Sequence, residues 1–174
     1  MNGLSEILKI TLPSLIMLVM IWYLVKKYFE QEEQKRRVQR ILKNQELITP
    51  LKLQACERII LLLERISPEN LLLRINRPSF NCKQLQTELI NAVRAEYEHN
   101  ISQQLYVSVN GWEMVKMAKN NLIHLINTSA ERLKPEDPSA SLNIAIMEAV
   151  SRMPKNYTSE AIIQIKEELT LLTG

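Results

Sequence analysis

The sequence predicts an all-α protein in three parts: an N-terminal transmembrane helix (residues 1–25), a charged juxtamembrane stalk helix (26–48) and a compact helical bundle (49–174). Three observations carry this prediction. The chain opens on an apolar run with almost no charge, and its positive surplus sits directly behind that run. It also holds only three Gly and a single Asp, Asp137, in 174 residues. Turns and phosphate cradles need Gly, Asn and Asp at special backbone angles, so a loop-rich α/β enzyme is disfavoured. Leu, Glu, Gln, Lys and Arg are abundant, and they lose little rotamer freedom in a helix. A hydrophobic content of 46% is enough for one core and short of two large domains.

The run at residues 7–25, ILKITLPSLIMLVMIWYLV, carries one charge, Lys9. Nineteen helical residues rise roughly 28 Å at about 1.5 Å each, close to the ~30 Å of bilayer hydrocarbon. Pro13 lies in the first turns, where its missing N–H matters least. Trp22, Tyr23, Lys26 and Lys27 fall where membrane-interface anchors belong. Lys and Arg cluster after the run, so the positive-inside rule places the N-terminus outside and the C-terminal domain in the cytoplasm. A cleaved signal peptide would need a basic head and a small-x-small cleavage site, and neither is present.

Residues 26–45 hold seven basic and three acidic side chains, a surplus of 7 − 3 = +4. Their heptad positions are too polar to specify a coiled coil, so a solvated stalk is expected, and its basic residues 35–43 could also meet anionic headgroups. From Glu46 onward 14 Lys and Arg face 15 Asp and Glu, giving −1, which leaves no basic patch for nucleic acid.

The bundle helices follow from punctuation and spacing. Thr49-Pro50 reads as an N-cap with Pro at the first helical position, opening a central helix through residue 66. In it, Glu57-Arg58 and Glu64-Arg65 recur seven apart as an ion-pair seam. Ser67-Pro68-Glu69 repeats the start signal for a short helix. A long helix over residues 82–104 places Leu85, Leu89, Val93 and Tyr97 at fourfold spacing. Residues 105–109 read as an extended connection ending in the cap Ser108. The next helix, 112–133, keeps Val115, Ala118, Leu122, Leu125 and Ile126 on one stripe. The turn at residues 135–138 opens a helix that Pro154 ends, and Thr158 caps a last amphipathic helix with Ala161, Ile162, Ile165, Leu169 and Leu172 inward.

Three stretches carry a resemblance: P-L-x-L-Q-A-x-E-R at residues 50–58, E-R-I-S-P at 64–68 and E-x-E-H-N-x-S-Q-Q at 96–104. With the opening apolar run they resemble an uncharacterised family of short bacterial single-pass membrane proteins with a cytoplasmic helical domain. The resemblance covers most of the chain and implies a bacterial inner-membrane location, with no activity attached.

Chemistry-bearing residues are sparse. Glu96 and His99 form one Glu-x-x-His on a helix, half of what a di-iron bundle uses, and the other histidine, His124, has Asn121 where a second Glu would stand. The prevailing reading is a solvated or capping helix surface, so no metal, catalytic residue or cofactor is expected. His124, Met114 and Met117 read as packing residues, Cys56 and Cys82 as buried thiols, and Glu167-Glu168 as an exposed helix end. Tether plus bundle without a catalytic set favours a protein-interaction or scaffold role for one or more protein partners, with homo-oligomers open. The alternatives are a metal-binding or enzymatic bundle using Glu96 and His99, and lipid-surface binding through residues 35–43.

Overall fold

The computed structural model describes the backbone of residues 2–173 and the side chains of residues 15–170. It is all-α: α1 (Asn2–Arg65), α2 (Pro68–Ile75), α3 (Cys82–Asn100), a 3₁₀ helix (Ile101–Leu105), α4 (Val109–Ala130), α5 (Ser139–Arg152) and α6 (Tyr157–Thr173). The chain divides into two compact units, Met1–Ile48 and Thr49–Gly174, with the boundary inside α1.

In the first unit the expected transmembrane helix is not supported: among the described residues, no helix is long and apolar enough to cross a membrane. Residues 7–14 of the expected span, including Lys9 and Pro13, lie outside the described side chains. Behind residue 25 the same helix turns strongly polar. Lys26, Lys27 and the charged stretch behind them then stop any extension. The single-pass placement in a bacterial inner membrane, and the orientation argued from it, fall with the span.

Thr49-Pro50 does not start a helix either, because α1 runs through both residues. Pro50 cannot donate to the carbonyl of Glu46, one turn earlier. Both residues are exposed, so water can take that carbonyl, and the helix persists where a buried proline would end it.

The second unit is built on a 3.6-residue apolar period. Residues 49–66 bury Ala55, Ile59, Leu62 and Ile66 with Cys56 and Leu63, while Leu61 points out. Leu85, Leu89 and Val93 of α3 close on them, and Trp112, Val115, Ala118, Leu122 and Ile126 of α4 complete the stripe. Helix α4 packs against α3, α5 and α6, which contribute Leu142, Ile146, Ala161 and Ile165. Trp112 stacks on Tyr97 at 5.5 Å between centroids, and Lys119 Nζ sits 4.3 Å over the same tyrosine ring. Leu172 lies outside the described side chains.

Helix ends are satisfied locally. Asn81 and Gln84 form a capping box at α3, with Gln84 N donating to Asn81 Oδ1 at 2.8 Å. The turn at residues 134–138 supplies two more acceptors there: Cys82 N donates to the Asp137 carbonyl at 2.7 Å and Lys83 N to that of Pro135 at 3.1 Å. Ser108 caps α4 by accepting from Gly111 N at 2.9 Å. At α6 the cap is Asn156 rather than Thr158: the amides of Thr158 and Ser159 both donate to its Oδ1, at 3.1 and 3.3 Å. A one-residue amide side chain placed before the helix reaches these donors, which a hydroxyl inside the first turn cannot.

Candidate functional site

The two predicted chemical residues do not form a site. Glu96 is 14% exposed and its Oε1 accepts from Arg65 Nη2 at 2.9 Å and Arg74 Nη1 at 3.4 Å, tying the end of α1 and α2 to α3. His99 is exposed, on the solvent side of the same helix. Among the described residues no group of three or more His, Cys, Asp or Glu could hold a metal ion. Glu96 is therefore spoken for by two guanidinium groups, a use that the Glu-x-x-His spacing does not reveal. The seam expected along residues 57–65 contributes only Arg65 to this network.

Other predicted residues divide in the same way. Cys56 and Cys82 are free and buried. Burial, with Glu168 near Cys56 and Asp137 near Cys82 as the second cause, pushes both thiols above their ordinary value. Met114 packs against the core, whereas Met117 and His124 are exposed, because each falls about a quarter-turn past the buried stripe of α4. Trp22, Tyr23, Lys26 and Lys27 are exposed on the first unit, and Lys26 Nζ lies 5.3 Å over the Trp22 ring. Their reading as membrane-interface anchors loses its basis with the span.

The site that the second unit does build lies between α2 and α5. Helix α2 has eight residues and three consecutive leucines. Successive residues turn by about 100°, so Leu71 and Leu72 reach the core and Leu73 is driven outward, where it is 85% exposed. Glu69, Leu72, Leu73 and Asn76 fall at i, i+3, i+4 and i+7 and share one face. Asn143 and Met147 stand one turn apart on α5, next to Ile144, which is 60% exposed. Together the two faces line an open depression of about 400 Å³.

Its chemistry is unfinished. Asn76 Oδ1 and Asn143 Oδ1 are buried and accept no hydrogen bond from any described residue. Both oxygens are closed off from solvent, so neither is open to a docking segment. The Glu69 carboxylate forms no ion pair among the described residues. The groove thus offers the apolar surface of Leu73 and Met147 beside one carboxylate, that of Glu69.

A second, smaller cavity of about 140 Å³ lies under Tyr157 between α4 and the α5–α6 connection. Its polar groups are already engaged: Lys155 pairs with Glu160 at 3.1 Å, Asn156 caps α6, and Asn121 donates to the Met117 carbonyl at 2.8 Å.

Residues 2–172 match the model of a family of unknown function, DUF7935. The chain belongs to that family. The match spans nearly the whole chain, as the three motif stretches implied, and it brings no activity with it. No curated protein and no solved structure matches.

Sequence reasoning missed Leu73, Asn76 and Asn143. One signal was available: three adjacent leucines on a helix too short to be wrapped on all sides leave one of them facing solvent. It also passed over Glu168 as an exposed helix end. Glu168 instead accepts from Ser108 N at 3.0 Å and from the Ser108 hydroxyl, fastening the start of α4 to α6.

Proposed function

We propose that this chain is a protein-interaction module whose bundle receives an apolar, donor-bearing segment of a protein partner in the α2–α5 groove. The observation that supports it is an 85% exposed leucine, Leu73, sharing one open depression with the exposed Met147 and the exposed Glu69 carboxylate. Isolated surface leucines are common and need no explanation. One that shares a depression with a second exposed apolar side chain and an unpaired carboxylate offers a partner both apolar contact and a charge to pair. A short amphipathic helix fits, since its apolar stripe meets Leu73 and Met147 while a basic side chain on it reaches Glu69.

The test compares full-length chains recovered from cells with their bound partners. Leu73→Asp places a charge in the groove, while Leu105→Asp does the same to a leucine that is 77% exposed on the 3₁₀ helix, away from the groove. Partner recovery is expected to fall with Leu73→Asp and to persist with Leu105→Asp. Equal loss in both variants, or in neither, refutes the groove as the docking site.

A further inference from the structure

We infer that the cavity under Tyr157 is a binding site for a small, neutral, apolar molecule the size of a single aromatic ring, a role separate from that of the α2–α5 groove. The cavity follows from the residues around it. Helix α4 turns Ala118, Leu122 and Leu125 to the core at i, i+4 and i+7, and Ala118 is a lone methyl group where the other two are branched chains. Pro68, the first residue of α2, is on the same lining, and its compact ring reaches no further. The connection at residues 153–156 closes another side through Met153, Lys155 and Asn156. It is not helical, so no regular stripe of side chains fills the space, and about 140 Å³ is left.

The polar groups on the lining are engaged with partners of their own. Lys155 Nζ pairs with Glu160 Oε1 at 3.1 Å, the Thr158 hydroxyl donates to Asn156 Oδ1 at 2.6 Å, and Asn121 Nδ2 donates to the Met117 carbonyl at 2.8 Å. Water in such a space finds few partners, and an apolar group that displaces poorly held water gains affinity. Size and lining then define the ligand. An apolar protein cavity of about 150 Å³ takes benzene. Tyr157 supplies a ring for offset or edge contact and Met153 a thioether, and both favour an aromatic ring over an aliphatic chain. A carboxylate is disfavoured, because the one ammonium on the lining, that of Lys155, is already paired.

The experiment titrates the full-length chain with toluene, reading saturation transfer to the toluene protons by NMR and the urea midpoint by circular dichroism. Toluene should receive saturation and raise the midpoint, while benzoate, of similar size but charged, should do neither at the same concentration. Ala118→Met fills the cavity from α4 and should weaken toluene binding at least about tenfold. Val150→Phe fills it from α5 at a half-buried position, and serves as the second variant where Ala118→Met does not fold. Leu73→Asp, in the groove, should leave toluene binding unchanged. The exposed apolar residues 15–25 could adsorb toluene without a site, and that adsorption would survive both fillings. A response that survives them, no response at all, one shared equally by benzoate, or one lost on Leu73→Asp overturns the inference.

Discussion

Replacing Glu96 with Gln removes the charge that joins three helices while keeping the side chain's shape. Both Arg65 and Arg74 approach the same oxygen, at 2.9 and 3.4 Å, and the carboxylate is only 14% exposed. The guanidinium groups are 56% and 36% exposed, so each can turn to water once the carboxylate is gone. Partly exposed pairs contribute about 0.5–1 kcal/mol each, and two of them place the loss for Glu96→Gln at about 1–2 kcal/mol. Arg65→Gln should cost less alone, and a double-mutant cycle between the two should return a coupling of about 0.5–1 kcal/mol. The assay is urea unfolding followed by Trp112 fluorescence in a Trp22→Phe background, since Trp112 is buried against Tyr97 in the second unit. Raising the salt concentration should shrink the coupling. A Glu96→Gln variant within about 0.3 kcal/mol of the parent, or strictly additive single changes, refutes the network. A loss matched by His99→Ala and reversed by a divalent metal would reinstate the metal reading.

Three further outcomes follow from the packing. Leu89 is fully buried between the helices, so Leu89→Ala should cost about 2–5 kcal/mol in the same urea assay; a cost below 1 would mean the site collapses freely. At Gly111 a new Cβ would meet Ile165 Cδ1 at 3.2 Å and the Glu168 carboxylate that holds Ser108. Gly111→Ala should therefore destabilise by about 1–2 kcal/mol despite the better helix propensity of Ala, and a stabilised variant would contradict the close approach. The buried thiols give a pH dependence. Their folded values lie above the ordinary 9.0, so the unfolded chain releases its protons first. Stability is unaffected well below that value and falls as pH rises through it, by at most about 1.4 kcal/mol per pH unit per thiol. Cys56→Ala with Cys82→Ala should flatten the alkaline arm measured by urea midpoints.

Helical period was the most readable feature of the sequence. Leu85, Leu89, Val93, Val115, Ala118, Leu122 and Ile126 all reach the core their spacing assigns. Local chemistry misled where exposure decided the result. Thr49-Pro50 carries a legitimate start signal, yet the helix passes through because solvent can satisfy the carbonyl that proline leaves open. The apolar opening run suggested a membrane span by its length, its low charge and the basic residues behind it, but among the described residues no helix is long and apolar enough to cross a membrane. The groove was not legible because it depends on two helices, 67 residues apart at Asn76 and Asn143, that only the fold brings together. Glu96 was visible as a chemical residue, but its partners were not, since Arg65 and Arg74 approach from other helices.

The docking groove is tested most directly by placing a photo-crosslinking amino acid at position 73 of the full-length chain in cells, with position 105 as the control. A discrete protein adduct at 73 and none at 105 is the expected result, with the crosslinked peptide giving the identity of the occupant. Equal adducts at both positions, or none at 73, would contradict the groove as a protein-docking surface.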